Sequence, residues 1–190
     1  MTSQPPAPPG AIESEYEQLV RARAGLVARL ERRHTAISLI RLASAGAAIA
    51  LLVIGGLEQA PALAACAGAF LIVAIFHARL LTQRAAAAAA VAFYQQGLRR
   101  IRHTWAGTGL RGDEYRPAHH IYAYDLDLFG ASSLFELLAT TRTKAGEETL
   151  AHWLLNPADA ETMRNRQAAV RELAGRVDLR ERLATLGDQV

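Results

Sequence analysis

Three patterns of apolar and polar positions follow one another along the chain. From residue 12 to 34, Ile12, Tyr16, Leu19, Val20, Val27 and Leu30 recur at helical spacing among Arg and Glu. That spacing predicts an amphipathic helix, started at Ser14 or in the Gly10 region. From Ala36 the charges thin out. Residues 42–57 form a sixteen-residue run without a charge. Glu58, Gln59 and Pro61 interrupt it, and a second uncharged run, 61–76, continues through His77, Arg79 and Leu81. A membrane-spanning helix needs ~20 residues. Each run reaches that length when Arg41 and Arg79, both at the same end of the pair, extend their side chains toward the head groups. The pattern predicts a transmembrane hairpin over 36–81, with buried helices of a soluble all-α domain as the competing reading.

Beyond the hairpin, RAAAAAAVAFYQQGLRRIRHTW is rich in the best helix former. Val91, Tyr94, Leu98, Ile101 and Trp105 alternate spacings of three and four, a coiled-coil seam over two heptads. The helix at 12–34 is its expected partner. Gly107, Gly109 and Gly112 are expected to end this stalk, and residues 107–131 to form a loop. Within that loop Ile121, Tyr122, Tyr124, Leu126, Leu128 and Phe129 read as anchors packing on helices. From 132 on, short helices carry start signals. Ser133 and Glu136 form a capping box before Leu134, Leu137 and Leu138. Thr143 caps a helix bearing Leu150, Ala151, Trp153 and Leu154 that stops at Asn156-Pro157. Asp159 caps a helix with Met163, Gln167, Val170 and Leu173 on one face, and Asp178 with Glu181 repeats the capping arrangement before Leu179, Leu183 and Leu186. Gly187 fits a C-terminal cap.

Charge sharpens this organisation. Arg29, Arg32, Arg33 and Arg41 flank one outer end of the hairpin, and Arg79, Arg84, Arg99, Arg100 and Arg102 the other, while 58–61 holds no basic residue. The positive-inside rule then places both termini in the cytoplasm of a cell with an inner (plasma) membrane. Gly46, Gly55, Gly56 and Gly68 suit close helix contact in lipid. Residues 82–124 carry six Arg against two acids, whereas 125–190 carry eight basic against eleven acidic residues. A folded nucleic-acid-binding module shows the opposite balance. Arg99, Arg100 and Arg102 could instead meet anionic lipid or nucleic acid.

Composition removes several function classes. With one cysteine, Cys66, in the second apolar run, no internal disulfide is available. The first ten residues, MTSQPPAPPG, have the composition of a disordered tail and lack the apolar run of a secretory signal. The sole lysine, Lys144, follows Thr143, so no Walker A phosphate loop exists in the chain. His119, His120, Asp125 and Asp127 invite a metal or enzymatic reading, yet their spacing matches no zinc or calcium pattern. No catalytic, cofactor-binding or metal-ligating residue is assigned.

The run SLFELLATTRTKAGEETLAHWLLNPADAETMRNRQAAVRELAG carries a T-x-T-x-x-G element (Thr141, Thr143, Gly146). An L-x-x-W-L-L-x-P element (Leu150, Trp153, Leu154, Leu155, Pro157) and an R-Q-x-x-V-x-x-L element (Arg166, Gln167, Val170, Leu173) follow. Over 125–190 this resembles the start of the core (lever) domain of the DNA mismatch repair MutS family. With the hairpin in front, the whole resembles the membrane-anchored MutS-related proteins of bacteria, in which an ATPase follows the lever. The resemblance implies an ATP-dependent DNA-binding or repair-related protein in full length, with ATP and Mg confined to an ATPase beyond this chain. It implies an anchor where a mismatch-reading domain would stand, so this chain reads as an incomplete fragment and not itself an enzyme. Trp153, Leu154 and Leu150 read as core, and Arg166 and Gln167 as bridging helices or facing solvent.

The expected architecture is therefore all-α. It comprises a tail (1–11), a cytoplasmic helix (12–35), the transmembrane hairpin (36–81), a helical stalk (82–106), a loop (107–131) and a MutS-core-like helical segment (132–190). Expected partners are the lipid bilayer, a second copy in a homodimer and, in the full-length protein only, DNA. The alternative is a membrane scaffold whose cytoplasmic helices bind a protein partner, with no DNA or ATP role.

Overall fold

The computed structural model describes residues 9–55 and 60–186. The tip of the hairpin, most of the N-terminal tail and the Gly187 cap lie outside the described residues. Those described are all-α, with no strand among them. The helices are α1 (Pro9–Gly55), α2 (Ala60–Ile101), α3 (Leu134–Leu138), α4 (Lys144–Leu155), α5 (Ala160–Ala174) and α6 (Val177–Leu186). One 3-10 turn, Asp113–Tyr115, lies in the loop between α2 and α3. α1 starts three residues before the periodic pattern. It then runs without a break through the amphipathic segment and the first apolar run, since no proline falls between residues 12 and 55. Pro61 sits in the first turn of α2, where its missing N–H costs nothing.

The chain divides into two compact units, one of Arg21–Ala88 and one formed by the chain up to Val20 together with Ala89 onward. In the first unit the two long helices pack antiparallel. Leu30, Leu80 and Ala87 are buried there against Leu26, Val27 and Ile37. Arg84 pairs with Glu31. One turn on, the His34 and His77 rings lie 4.8 Å apart. Arg41 Nη1 donates to His77 Nδ1 at 2.8 Å, and its guanidinium lies over the Phe70 ring at 5.0 Å. An arginine can only donate, so His77 holds its proton on Nε2 in this arrangement. Farther toward the hairpin tip the apolar side chains face outward. Leu42, Ile49, Val53 and Ile54 of α1 and Leu71, Ile72, Ile75 and Phe76 of α2 are all exposed.

In the second unit the beginning of α1 lies along the end of α2. Tyr16, Tyr94 and Leu98 form a buried cluster with Ile12, Leu19, Val20, Phe93, Ile101 and Val177 around it. The Tyr16 and Tyr94 rings meet edge to face at 5.4 Å. Gly97 makes room for this packing, because a Cβ there would stand 2.8 Å from Tyr16 Cδ1. Arg102 donates to Glu13 Oε1 at 2.7 Å and also to Glu17, so this arginine is engaged within the fold.

α2 stops at Ile101, five residues short of the expected stalk. The cause is a Schellman ending built on His103, which takes φ 57°. His103 N donates to Arg100 O at 3.2 Å and Thr104 N to Arg99 O at 2.8 Å. The expected terminators Gly107, Gly109 and Gly112 lie beyond that point. Trp105, the last residue of the expected seam, is past the helix and does not extend it.

A second core forms around Phe135, which is 0% exposed, with Ala123, Leu128, Phe129, Ala139 and Ala151. The expected loop anchors divide: Leu128 and Phe129 are buried, but Ile121, Tyr124 and Leu126 are exposed. The segment is not extended. Leu126 N bonds Tyr122 O and Leu128 N bonds Ala123 O, so the segment runs in successive turns. The caps at Thr143 and Asp159 form as expected, Thr143 Oγ1 accepting from Gly146 N at 3.2 Å and Asp159 Oδ1 from Thr162 N at 2.8 Å. Asp178, by contrast, lies inside the first turn of α6 and Glu181 bonds elsewhere, so the expected capping box there is absent. α3 is a single turn, and Leu134 and Leu138 on it are exposed.

Candidate functional site

The end of α2 meets the corner that links α3 to α4. The corner is Ala139 to Thr143, the stretch in which the T-x-T-x-x-G element begins. The Ala139 carbonyl accepts from Arg100 Nη2 at 3.2 Å and from Gln96 Nε2 at 3.4 Å. One turn back along α2, Tyr94 Oη donates to Glu181 Oε2 of α6 at 2.5 Å. The same end of α2 thus holds the corner and the last described helix.

The corner itself is tight. A Cβ at Gly146 would stand 3.2 Å from Thr141 Cγ2 and 3.3 Å from Thr143 Oγ1. Thr143 caps α4 and Thr141 packs against the glycine, which is why these three residues occur together. Lys144, the next residue, is bound at the mouth of α4. Its ammonium contacts Glu114 Oε1 at 3.0 Å and lies 4.6 Å from the Tyr115 ring centre. Tyr115 first and Glu114 second raise its pKa above the ordinary lysine value.

Glu136 organises the loop before this corner. It is buried, and its carboxylate accepts from Gly109 N at 2.9 Å and Ser132 N at 2.7 Å, while its own N–H donates to Ser133 Oγ at 3.2 Å. The capping box is therefore shifted: the carboxylate reaches Ser132, which has φ 60°, and not Ser133. Burial alone raises the Glu136 pKa. The backbone N–H groups of Gly109, Ser132, Thr108 and Gly107 together outweigh burial and hold the carboxyl below its ordinary value. Gly109 has to be small here, since a Cβ would stand 3.1 Å from Glu136 Cγ. Gly112 takes φ 63° beneath the Phe135 ring, where a Cβ would stand 2.7 Å from Phe135 Cδ1, a closeness that only glycine tolerates.

Two hollows flank the corner. The first, of about 510 Å³, is lined by Arg100, Arg142 and Arg180, by the apolar Tyr16, Phe93, Leu173 and Leu183, and by Gln96, Thr140 and Thr143 among others. The second, of about 540 Å³, shares Gln96, Thr140 and Arg142 and adds Arg99 and Glu147. Arg100 lies in the first with its pKa lowered, by burial first and by neighbouring Arg99 second, against a smaller opposing pull from Tyr16. A third hollow, of about 450 Å³, lies beyond the corner between Leu138, Thr141, Gly146, Leu150 and Trp153.

The remaining residues singled out in the sequence are placed as follows. Trp153 is 47% exposed and is not core; the Arg166 guanidinium stacks on its indole at 3.9 Å. Arg166 therefore does bridge α5 to α4, but through a ring face and not a hydrogen bond. Leu150 and Leu154 pack against the Phe135 core. Met163 and Val170 are exposed. His120 Nε2 bonds Leu155 O at 3.1 Å, tying the loop to the end of α4, whereas His119, Asp125 and Asp127 face solvent. No group of three or more His, Cys, Asp or Glu side chains comes together among the described residues. The arginine-lined hollow escaped sequence reasoning because its wall is drawn from five separate segments. The one local signal was Gly97, a glycine inside a strong helix.

The family model for MutS domain III matches residues 121–189, which are thus a MutS-related region. Neither a curated protein nor a solved structure matches the chain. The matched stretch contains the Thr141-Thr143-Gly146 corner, the buried Phe135 and all of α3 to α6. It leaves α1, α2 and the Glu136-binding glycines of the loop outside.

Proposed function

We propose that the chain is a membrane tether for a MutS-like lever. The observation that carries this reading is α2. Its apolar stretch and the Tyr94, Gln96 and Arg100 that grip the MutS-related region belong to one uninterrupted helix. α1 and α2 are long and apolar enough to cross a membrane. Their most apolar stretches are almost wholly unburied, 0% and 6% respectively, which favours lipid-facing helices over buried helices of a soluble domain. Arg41 and His77 lie where the apolar stretches meet polar flanks, about 20–25 Å along the helices from the hairpin tip at 1.5 Å per residue. That is the depth at which their polar groups reach the head groups of one leaflet. With no basic residue at the tip, both chain ends belong in the cytoplasm.

In the full-length protein the lever would work with an ATP- and Mg-dependent ATPase and with DNA bound outside this region's acidic surface. That last point follows from charge: 125–190 has a net charge of −3, from eight basic and eleven acidic residues. This chain alone is expected neither to hydrolyse ATP nor, through 125–190, to bind DNA tightly. A scaffold that binds a protein partner through its cytoplasmic helices is the second reading. Trp153 and the exposed Leu138 beside it are the observation in its favour.

Alkaline carbonate extraction of cell membranes tests the tether. The chain should stay in the pellet; release into the supernatant would refute it. A Gly-x-x-x-x-Gly-Lys-Ser/Thr motif encoded downstream of Val190 would favour the lever over the scaffold, and a stop codon the reverse.

A further inference from the structure

The neck of the helix pair, within the Arg21–Ala88 unit, holds an arginine and a histidine in a contact that only one protonation state permits. Arg41 Nη1 donates to His77 Nδ1 at 2.8 Å, and the same guanidinium lies over the Phe70 ring. His77 is 8% exposed, and its Nε2, like Arg41 Nε, is buried without a hydrogen-bond partner. The groups that face His77 from α1 are Arg41 and His34, whose ring stands 4.8 Å away. On its own helix Arg79 is exposed and Arg84 is paired with Glu31. Charge around this group is one-sided. The described residues of the unit carry eight arginines and one carboxylate, that of Glu31.

We propose that the Arg41–His77 contact is a proton-sensitive latch, which holds α1 to α2 while His77 is neutral and releases when the ring is protonated. A neutral imidazole offers one lone pair, and Arg41, which can only donate, takes it. A proton added to His77 goes to Nδ1, the nitrogen whose lone pair Arg41 uses. An N–H then faces an N–H across 2.8 Å, and a positive ring faces a guanidinium. The unit's described residues offer no second carboxylate to offset the new charge, and His34 can only be neutral or positive. Histidine is the side chain that ordinarily changes charge between about pH 5 and 8, so the release falls in a range that a cell reaches. The Leu30, Leu80 and Ala87 cluster one turn away is apolar and does not titrate. Release therefore loosens the neck without separating the helices along their whole length. If the hairpin spans a membrane as proposed above, the neck lies on the cytoplasmic side and the latch reads cytoplasmic pH. That placement rests on the tether reading, whereas the latch itself needs only the pairing of α1 with α2.

The test is the distance between nitroxide labels on Thr35→Cys in α1 and Ala78→Cys in α2, both exposed positions, in the full chain with Cys66→Ala. Pulsed electron paramagnetic resonance in neutral detergent micelles reads it at about pH 8 and about pH 5, which bracket the histidine range. The expected result is a distance that lengthens by at least about 2 Å at the lower pH, the size of a helix displacement at a packed interface, and that reverts when the pH is restored. His77→Asn places an amide oxygen where Nδ1 stands and does not titrate, so it should keep the short distance at both pH values. Arg41→Gln, whose amide can turn to meet either form of the ring, should lose most of the response. His34→Gln should retain it. A distance that does not change with pH, an equal change in His77→Asn, or loss of the response through His34→Gln alone would overturn the proposal. None of these outcomes bears on the tether, which carbonate extraction tests separately.

Discussion

The two units of this molecule use similar helices for opposite ends. In the Arg21–Ala88 unit, Ile49 is 63% exposed and its apolar neighbours face outward with it; the polar groups Arg41, His34 and His77 turn toward each other. In the other unit the apolar Phe135, Leu128 and Tyr94 are buried, and the polar chains cap helices or bind backbone. Both units are all-helical, so secondary structure does not separate them. What separates them is where the apolar side chains lie, outward in the first unit and inward in the second. An exposed apolar residue is unremarkable singly, whereas a contiguous exposed apolar belt marks a surface made to be covered.

The largest expected effect tests the buried half. Phe135→Ala should destabilise the unit that contains it by about 3–5 kcal/mol, the cost of a cavity in a closed core. Urea denaturation of the chain in micelles, followed by tryptophan fluorescence, measures it; a loss below about 1 kcal/mol would mean that the Phe135 cluster is not a core. The next compares surfaces directly. Ile49 and Val170 are 63% and 66% exposed, so solvent accessibility alone treats them alike. Ile49→Asp should cost about 3 kcal/mol of insertion in a translocon assay, as expected for a carboxylate within a spanning helix. Val170→Asp should shift urea stability by no more than about 0.5 kcal/mol. Equal small effects would erase the distinction between the units.

Glu136→Gln comes third, at about 2 kcal/mol, because a neutral amide accepts the loop N–H groups less strongly than the buried carboxylate. The sign of its pH dependence follows from the lowered pKa. The carboxylate's stabilisation is fully present above the ordinary value of 4.5 and is lost as pH falls through the lower folded value. Wild type should therefore lose its advantage over Glu136→Gln between about pH 4.5 and the onset of acid unfolding. A difference that stays constant or grows over that range would contradict the assignment. Smallest of the set, Thr143→Ala should cost about 1 kcal/mol by removing the α4 cap, with Thr143→Ser restoring most of it.

These positions also show which features a sequence can disclose. Thr143 and Asp159 were legible because a cap depends on residues three positions apart. The apolar runs of α1 and α2 were legible because their length exceeds what most soluble helices need. The Thr141-Thr143-Gly146 and Trp153 patterns led to MutS through resemblance, and the physical reason for the first emerged only with Gly146 seen against Thr141. Glu136 was read as a local capping residue, yet its partner Gly109 lies 27 positions away. The end of α2 was misjudged because His103 adopts the left-handed conformation that glycine usually supplies. Trp153 reads as core from the apolar face it shares with Leu150 and Leu154, and its stacking on Arg166 depends on how α5 returns along α4. The arginine-lined hollow needed the whole fold, since Tyr16 and Arg180 are far apart in the chain.

The central claim is that the hairpin crosses a membrane with the MutS-related region on the cytoplasmic side. Single cysteines placed in a Cys66→Ala background, at Gln59→Cys in the hairpin tip and Ala174→Cys at the end of α5, test it most directly. Intact cells are treated with a membrane-impermeant maleimide and then, in a second sample, after permeabilisation. The tether reading expects Gln59→Cys to label in intact cells and Ala174→Cys only after permeabilisation. Protection of both sites until permeabilisation, with the chain recovered in the soluble fraction, would contradict it.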